Sequence, residues 1–306
     1  MSLALSAGRA PSDGLTARDY SLYGMTVFAW GFSWIAIRGQ VGTVAPEVSV
    51  FWRFVLAALV MVGWSLIRRE KLAYPLRTHI RFAALGALLF STNFTLFYFG
   101  ASLLPSGLLA VVFSLASVLN LFLGFLIFGQ RPGTRSLIAG LIGFSGIALM
   151  FEPQIAKTDV GGDALLGLLF CSLGTLSFCL GNMVSASTQR IGISVTAATT
   201  WGMLYGALFL GCFAALRGSS FSVEMTPAYL GSLVYLAIVA SVIAFGSYLT
   251  LLGRIGSARA GYATVIFPVI ALSVSTVFED YHWNAAALAG LVCVIAGNIL
   301  MLRSKS

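Results

Sequence analysis

The stretch STNFTLFY, Ser91 to Tyr98, returns as SVIAFGSY, Ser241 to Tyr248, and each stands at the same place in a series of apolar segments. The two serines lie 150 positions apart, as do the two tyrosines. Working outward from this pair, ten apolar stretches can be read: 21–37, 48–67, 82–103, 106–128, 134–151, 162–186, 194–216, 228–252, 257–278 and 284–302. At about 1.5 Å of rise per residue, each crosses a hydrocarbon layer about 30 Å thick. A shift of 148 to 151 positions lays the second five stretches over the first five. Five is odd, so the second copy enters the membrane upside down relative to the first, an arrangement that transporters use to build one central site with two exits. The expected architecture is an all-α membrane protein of ten transmembrane helices in two inverted five-helix repeats. The repeats span 21–151 and 162–303, with a cytoplasmic tail over 1–20 and a periplasmic linker over 152–161.

Composition agrees. Hydrophobic residues make up 58 % of the 306 and charged residues 9 %, which leaves too little polar surface to clothe a soluble core. Residues 1–20 lack a sustained apolar core and read as a short tail, not as a cleaved signal peptide. The formal charge of +8 is distributed in a way that orients the chain. With both termini cytoplasmic, fourteen of the eighteen Lys and Arg residues fall on the cytoplasmic side, five of them between Arg68 and Arg81. Seven of the ten acids fall on the other side, which is the positive-inside asymmetry. The basic surface therefore reads as an orientation signal that also meets anionic lipid, and not as a nucleic-acid interface.

Other pairs follow the same shift. Ser106 and Gly107 meet Ser257 and Ala258, Ser117 meets Pro268, Trp30 and Trp34 meet Phe178 and Asn182, and Arg53 meets Trp201. The unlike pairs would give a symmetric scaffold different chemistry on its two sides, as a substrate with one charged and one apolar end requires. The run WGFSWIAIRG (Trp30 to Gly39), the run WRFVLAAL (Trp52 to Leu59) and the small-residue fourth spans resemble the drug/metabolite transporter superfamily. The resemblance is nearest to its ten-helix EamA-type branch, and within that to bacterial aromatic amino-acid exporters, over residues 20–303. It implies a bacterial inner-membrane exporter whose substrates are amino acids. The family often carries Gly-Glu after the fourth span; here the first half has Gly129-Gln130 and the second Glu279-Asp280.

The substrate candidates are aromatic and amide residues deep in the spans: Trp30, Trp34, Asn93, Phe97, Tyr98, Asn182, Trp201 and Tyr248. An aromatic-lined cavity with a few polar handles suits an apolar or aromatic metabolite. Asn93, Asn120 and Asn182 must face the protein interior, where each either bonds a neighbouring helix or meets the substrate. By contrast, Tyr20, Tyr74, Tyr229 and Trp283 stand at span ends and fit an interfacial belt. Arg53, the one charge well inside a span, either snorkels to the outer surface, guides a carboxylate or holds an outer gate. Gly107, Ala110, Ser114 and Ser117 form a strip of small side chains that packs helices closely, and such a pair of helices can also serve as a pivot. Pro268, opposite Ser117, is either a hinge or a tolerated kink.

No Asp, Glu, Lys or His falls at mid-membrane, which favours facilitated export over proton coupling. The cysteines form no CxxC pair with a nearby histidine, no P-loop is present, and HExxH and GxSxG are missing. The reading is therefore a carrier and not an enzyme, monomeric, with no cofactor and no metal. The alternative is a carrier of the same fold for other small metabolites or drugs.

Overall fold

A computed structural model describes residues 16–129, 133–155, 161–256, 260 and 263–303. Most of the tail, linker residues 156–160, Gln130 and Ala258 lie outside the described residues. All regular structure among the described residues is helical.

The first apolar stretch forms two helices, α1 (Ala17–Gly31) and α2 (Ser33–Arg38), broken at Phe32. A capping box starts α1: Asp19 N–H donates to Thr16 Oγ1, and the Asp19 carboxylate accepts from Thr16 N–H. α3 (Pro46–Ile67) begins with proline at its first turn, where the missing N–H costs nothing. α4 (Leu76–Ala87) runs through a π-helical stretch at Leu88–Thr92 into α5 (Asn93–Ala101). The fourth apolar stretch is also divided, into α6 (Ser106–Phe113) and α7 (Ala116–Phe128), and Gly129 ends it at φ 71° in the left-handed region. α8 (Thr134–Ile155), α9 (Gly161–Arg190) and α10 (Val195–Leu216) follow. α11 (Pro227–Val234) passes through a second π-helical stretch, Tyr235–Ile243, into α12 (Ala244–Ile255). α13 (Ala263–Phe278), with Pro268 inside it, and α14 (Ala285–Arg303) complete the order.

Among the described residues, six continuous helical runs are long and apolar enough to cross a membrane: 46–67, 76–101, 106–128, 162–190, 195–216 and 227–255. Shorter apolar helices cover 137–151, 267–278 and 285–297. The outer surface carries exposed Leu59, Ile67, Leu141, Leu169 and Val292, while Ser49, Asn120, Thr175, Asn182 and Ser241 are buried. Apolar outside and selectively polar inside is the distribution that a lipid surrounding demands.

The helices pack in regular partnerships: α3 with α10, α6 with α13, α8 with α14, α5 with α9, and α1 with α12. Between α8 and α14 the backbones nearly touch; a Cβ on Gly146 would stand 2.6 Å from Gly290 O, so only glycine fits. The π-helical stretches correspond as well, since 88–92 moved by 150 positions becomes 238–242, inside the second stretch. A π turn leaves carbonyls without their usual donors, and side chains from the opposite half supply them. Trp30 Nε1–H donates to Ala240 O at 2.8 Å, and Ser177 Oγ–H donates to Leu88 O at 2.9 Å.

One sequence expectation is corrected here. Tyr229 is 1 % exposed and shares a 2.9 Å hydrogen bond with Ser49 Oγ, so it is a buried strut between α3 and α11 and not part of an interfacial belt. Its end-of-span position could not reveal that the start of α3 and the end of α10 pack around it.

Candidate functional site

Where α1, α2, α3, α5, α6, α9 and α12 converge, they enclose a cavity of about 30 Å³. Its walls are Trp30, Ser33, Trp34, Ile37, Arg53, Asn93, Phe94, Phe97, Phe113, Phe178 and Phe245. All of these are buried. A water needs roughly 10–15 Å³ by this measure, so the space admits a water or two and no larger solute without expansion.

Aromatic rings make most of the wall. The Trp30 ring lies 4.9 Å from Phe245, 5.0 Å from Tyr248, 5.8 Å from Phe267 and 6.0 Å from Phe178, between centroids. Trp34 packs at 5.3 Å from Phe97 and 5.4 Å from Phe113. These tilted and edge-on contacts are the geometry that ring quadrupoles favour. The cluster fills the centre of the bundle, and its members come from both halves of the chain.

Arg53 is 1 % exposed and does not snorkel. Its Nε–H donates to Ser241 Oγ at 2.9 Å, and its guanidinium carbon sits 4.2 Å from the centre of the Phe94 ring. Ser241 passes its own proton to Leu236 O at 2.8 Å, which fixes its oxygen as an acceptor toward Arg53. No carboxylate balances the charge, because the ion pairs among the described residues are Arg38–Glu279, Arg217–Glu47 and Arg254–Asp19. Arg53 Nη1 is buried without a hydrogen-bond partner, and the same holds for Trp34 Nε1 and Asn93 Oδ1. Asn93 spends one amide hydrogen on Leu89 O, at 3.3 Å. Three residues of one cavity wall thus carry unspent polar atoms, two donors and one acceptor, although burying such groups is costly.

The structure gathers Trp30, Trp34, Arg53, Asn93 and Phe97 around this cavity. Tyr98 stands just beyond, where its hydroxyl donates to Gln40 Oε1 at 2.6 Å. Asn182 and Tyr248 belong to a neighbouring polar knot, in which Asn182 Nδ2 donates to the Tyr248 hydroxyl at 3.0 Å and to Asn120 Oδ1 at 3.3 Å. Tyr248 reaches the cavity residues through Trp30. Trp201 is placed elsewhere, beside His79, and its Nε1–H donates to Leu72 O at 3.0 Å. Ser117 Oγ–H donates to Ser114 O at 3.0 Å within the divided fourth stretch, and Pro268 is buried in α13. Phe113 and Phe94 are wall residues that sequence reasoning passed over, since nothing distinguishes them from other apolar residues of a span. Phe178 carried a signal, being the residue that falls opposite Trp30.

Polar contacts close the bundle at both ends. The Glu279 carboxylate accepts from Ser106 N–H at 3.0 Å, from Ser106 Oγ–H and from Ser275 Oγ–H at 2.7 Å, and pairs with Arg38 at 3.6 Å. Arg38 also donates to Ala101 O. This hub ties α2, α5, α6 and α13 together. At the other end Arg254 Nε–H donates to Asp19 Oδ1 at 2.6 Å, joining α1 to α12. The Arg254 guanidinium, aided by the Thr16 hydroxyl, holds the Asp19 carboxyl well below the usual carboxylate range.

Known proteins resemble this chain in sequence and in fold. The sequence pattern of the EamA-like transporter family matches residues 21–152 and 165–303. A probable amino-acid metabolite efflux pump of Escherichia coli (strain K12) is 25 % identical over 310 aligned positions, which cover 94 % of this chain and 97 % of that protein. A probable amino-acid metabolite efflux pump of Salmonella typhimurium is 24 % identical, covering 92 % and 94 %. A solved crystal structure superposes with a TM-score of 0.70 at 16 % identity, over 92 % of this chain and 96 % of the other, a likeness of fold.

Proposed function

The chain belongs to the EamA-like transporter family, a multi-pass protein of the bacterial inner membrane, and on that premise we propose that it exports neutral amino acids, aromatic ones among them, by alternating access. The observation that carries this reading is the buried aromatic cavity at the convergence of both halves, with its few unspent polar atoms. Relatives of matching length described as amino-acid metabolite efflux pumps support the substrate class and the direction.

The proposed architecture is ten transmembrane helices, in two inverted repeats, with both ends in the cytoplasm. The helix partnerships support it. Exchanging the first five spans for the second five turns the α1–α12 contact into the α9–α5 contact, and it maps α3–α10, α6–α13 and α8–α14 each onto itself. A twofold axis in the membrane plane would produce that pattern. Rocking of the halves would break the Glu279 hub to open the outer side, or the Asp19–Arg254 contact to open the inner side. The helix breaks at Phe32 and between α6 and α7 would supply compliance, and Ser117 at the start of α7 and Pro268 inside α13 are proposed as hinge positions. One copy of the chain contains the whole cavity, so the functional unit is proposed to be a monomer. The alternative cargo, a cationic drug, would bring its positive charge against the buried guanidinium of Arg53.

The test is efflux from liposomes that contain the purified chain and are loaded with one labelled amino acid. Saturable efflux of Phe, Tyr or Trp, with counterflow, is the expected result. Liposomes that retain all neutral amino acids would remove the substrate assignment, and efflux without saturation would indicate a pore.

A further inference from the structure

Trp34, Arg53 and Asn93 are each more than nine-tenths buried, line one cavity and keep one polar atom unpaired toward their surroundings. The atoms are of complementary kinds. Arg53 Nη1–H and Trp34 Nε1–H are donors and attract a negative oxygen, whereas Asn93 Oδ1 is an acceptor and attracts an N–H. An anion would satisfy the two donors and leave Asn93 unpaired; a cation would do the reverse and lie against a guanidinium. A zwitterion with both charges on neighbouring atoms satisfies all three.

We infer that this wall is the recognition site for the α-carboxylate and α-ammonium of a free amino acid, with the carboxylate on Arg53 and Trp34 and the ammonium on Asn93. The inference rests on the amino-acid export reading and sharpens it: specificity lies in the charged end of the substrate, while Phe113, Phe178 and Phe245 receive the apolar side chain once the cavity has expanded. Ser241, bonded to Nε, and Phe94, whose ring lies against the guanidinium, hold the group in place and leave Nη1 unspent. Because Ser241 lies in the second π-helical stretch, on the half opposite Arg53, the second half helps to hold the carboxylate-binding guanidinium in place. A carboxylate bound there also neutralises a charge that the protein otherwise buries alone, so loaded and empty cavities differ in electrostatic cost.

The experiment is competition against counterflow of labelled L-phenylalanine, using analogues that each lack one feature: phenylalaninamide and phenethylamine lack the carboxylate, and 3-phenylpropionate lacks the ammonium. Binding to the purified chain is followed in parallel by the fluorescence of its tryptophans, two of which line the cavity. All three analogues are expected to bind roughly 100-fold more weakly than L-phenylalanine, the effect of removing one partner of a buried charged hydrogen bond. Phenethylamine or phenylalaninamide competing as well as L-phenylalanine would overturn the carboxylate assignment and leave amino-acid export standing. An equally strong 3-phenylpropionate would overturn the role of Asn93. If L-phenylalanine and the other neutral amino acids neither bind nor exchange, the export reading itself falls, and this inference with it. Arg53→Gln is expected to raise the half-saturation for L-phenylalanine roughly 100-fold while leaving that for phenethylamine unchanged. Arg53→Lys should recover part of the loss. A purely structural arginine would weaken every ligand alike. Should Arg53→Gln fail to fold, the analogue series on the unaltered chain decides the matter alone.

Discussion

Trp30 donates its indole N–H to Ala240 O, 2.8 Å away, and so ties the last turn of α1 to a carbonyl of the π-helical stretch before α12. The same ring is the hub of the central aromatic cluster. One side chain therefore completes the backbone of the opposite half and forms part of the cavity wall. Trp30→Phe keeps an aromatic ring but leaves Ala240 O unpaired in a dry interior. Stability should fall by about 1 to 3 kcal/mol, the cost of one unsatisfied buried group. Thermal unfolding in detergent measures this, and an unchanged midpoint would show that another donor reaches the carbonyl. Trp30→Ala adds a void and should cost about 3 to 5 kcal/mol.

Glu279 collects donors from α6, α13 and α2. Glu279→Gln removes the charge that attracts Arg38 and weakens the bonds to Ser106 and Ser275. The expected outcome is a bundle that opens more readily at that end. A cysteine placed at Ile37, now 3 % exposed, should react faster with a membrane-impermeant maleimide when it is combined with Glu279→Gln. Equal rates with and without the substitution would mean that the hub does not hold the cavity shut.

At the opposite end, the sign of the pH dependence follows from Asp19. Its folded-state pKa is lowered, chiefly by the hydrogen bond from Arg254. A lowered carboxylate pKa contributes stability that is complete above the ordinary value of about 4 and is lost as the pH falls through the folded value. The Asp19–Arg254 contact should thus be indifferent to pH between about 5.5 and 8. Asp19→Asn should lower the melting midpoint at neutral pH, and the gap to the unaltered chain should narrow only below about pH 4. A gap that closes near pH 6 would point to a different titrating group.

How much of this was legible beforehand depends on the kind of signal each residue leaves. Asn93, Arg53 and Trp34 stood out because polar or amphipathic groups in the middle of an apolar span must be partnered or used, and the structure puts all three on one wall. Tyr98 and Tyr248 were visible as a repeated pair, yet they serve different polar groups, Gln40 and Asn182. Periodicity could not say which aromatic residues share a cavity, because that depends on helix rotation and on which helices are neighbours. Trp201 illustrates the limit. It is a deep-looking tryptophan in an apolar span, but its indole serves the Leu72 carbonyl beside His79, away from the cavity wall. The break at residues 114–115 left no proline or glycine signal, whereas Gly31 directly precedes the one at Phe32.

The cavity wall also bears on energy coupling. Of its residues only Arg53 is ionised, and a guanidinium does not release its proton at any working pH. A proton relay needs a group that gains and loses a proton within the cycle, which neither the aromatic wall nor Ser33 and Asn93 provide. Asp19 and Glu279 are each held by an arginine at the ends of the bundle, away from the cavity wall. Efflux of a neutral amino acid should then follow its own concentration gradient. In liposomes with matched amino-acid gradients, imposing a difference of one pH unit across the membrane should leave the initial rate unchanged. A several-fold acceleration by inward-directed protons would require a relay outside this cavity, and Asp19→Asn and Glu279→Gln would be the first two variants in which to look for its loss.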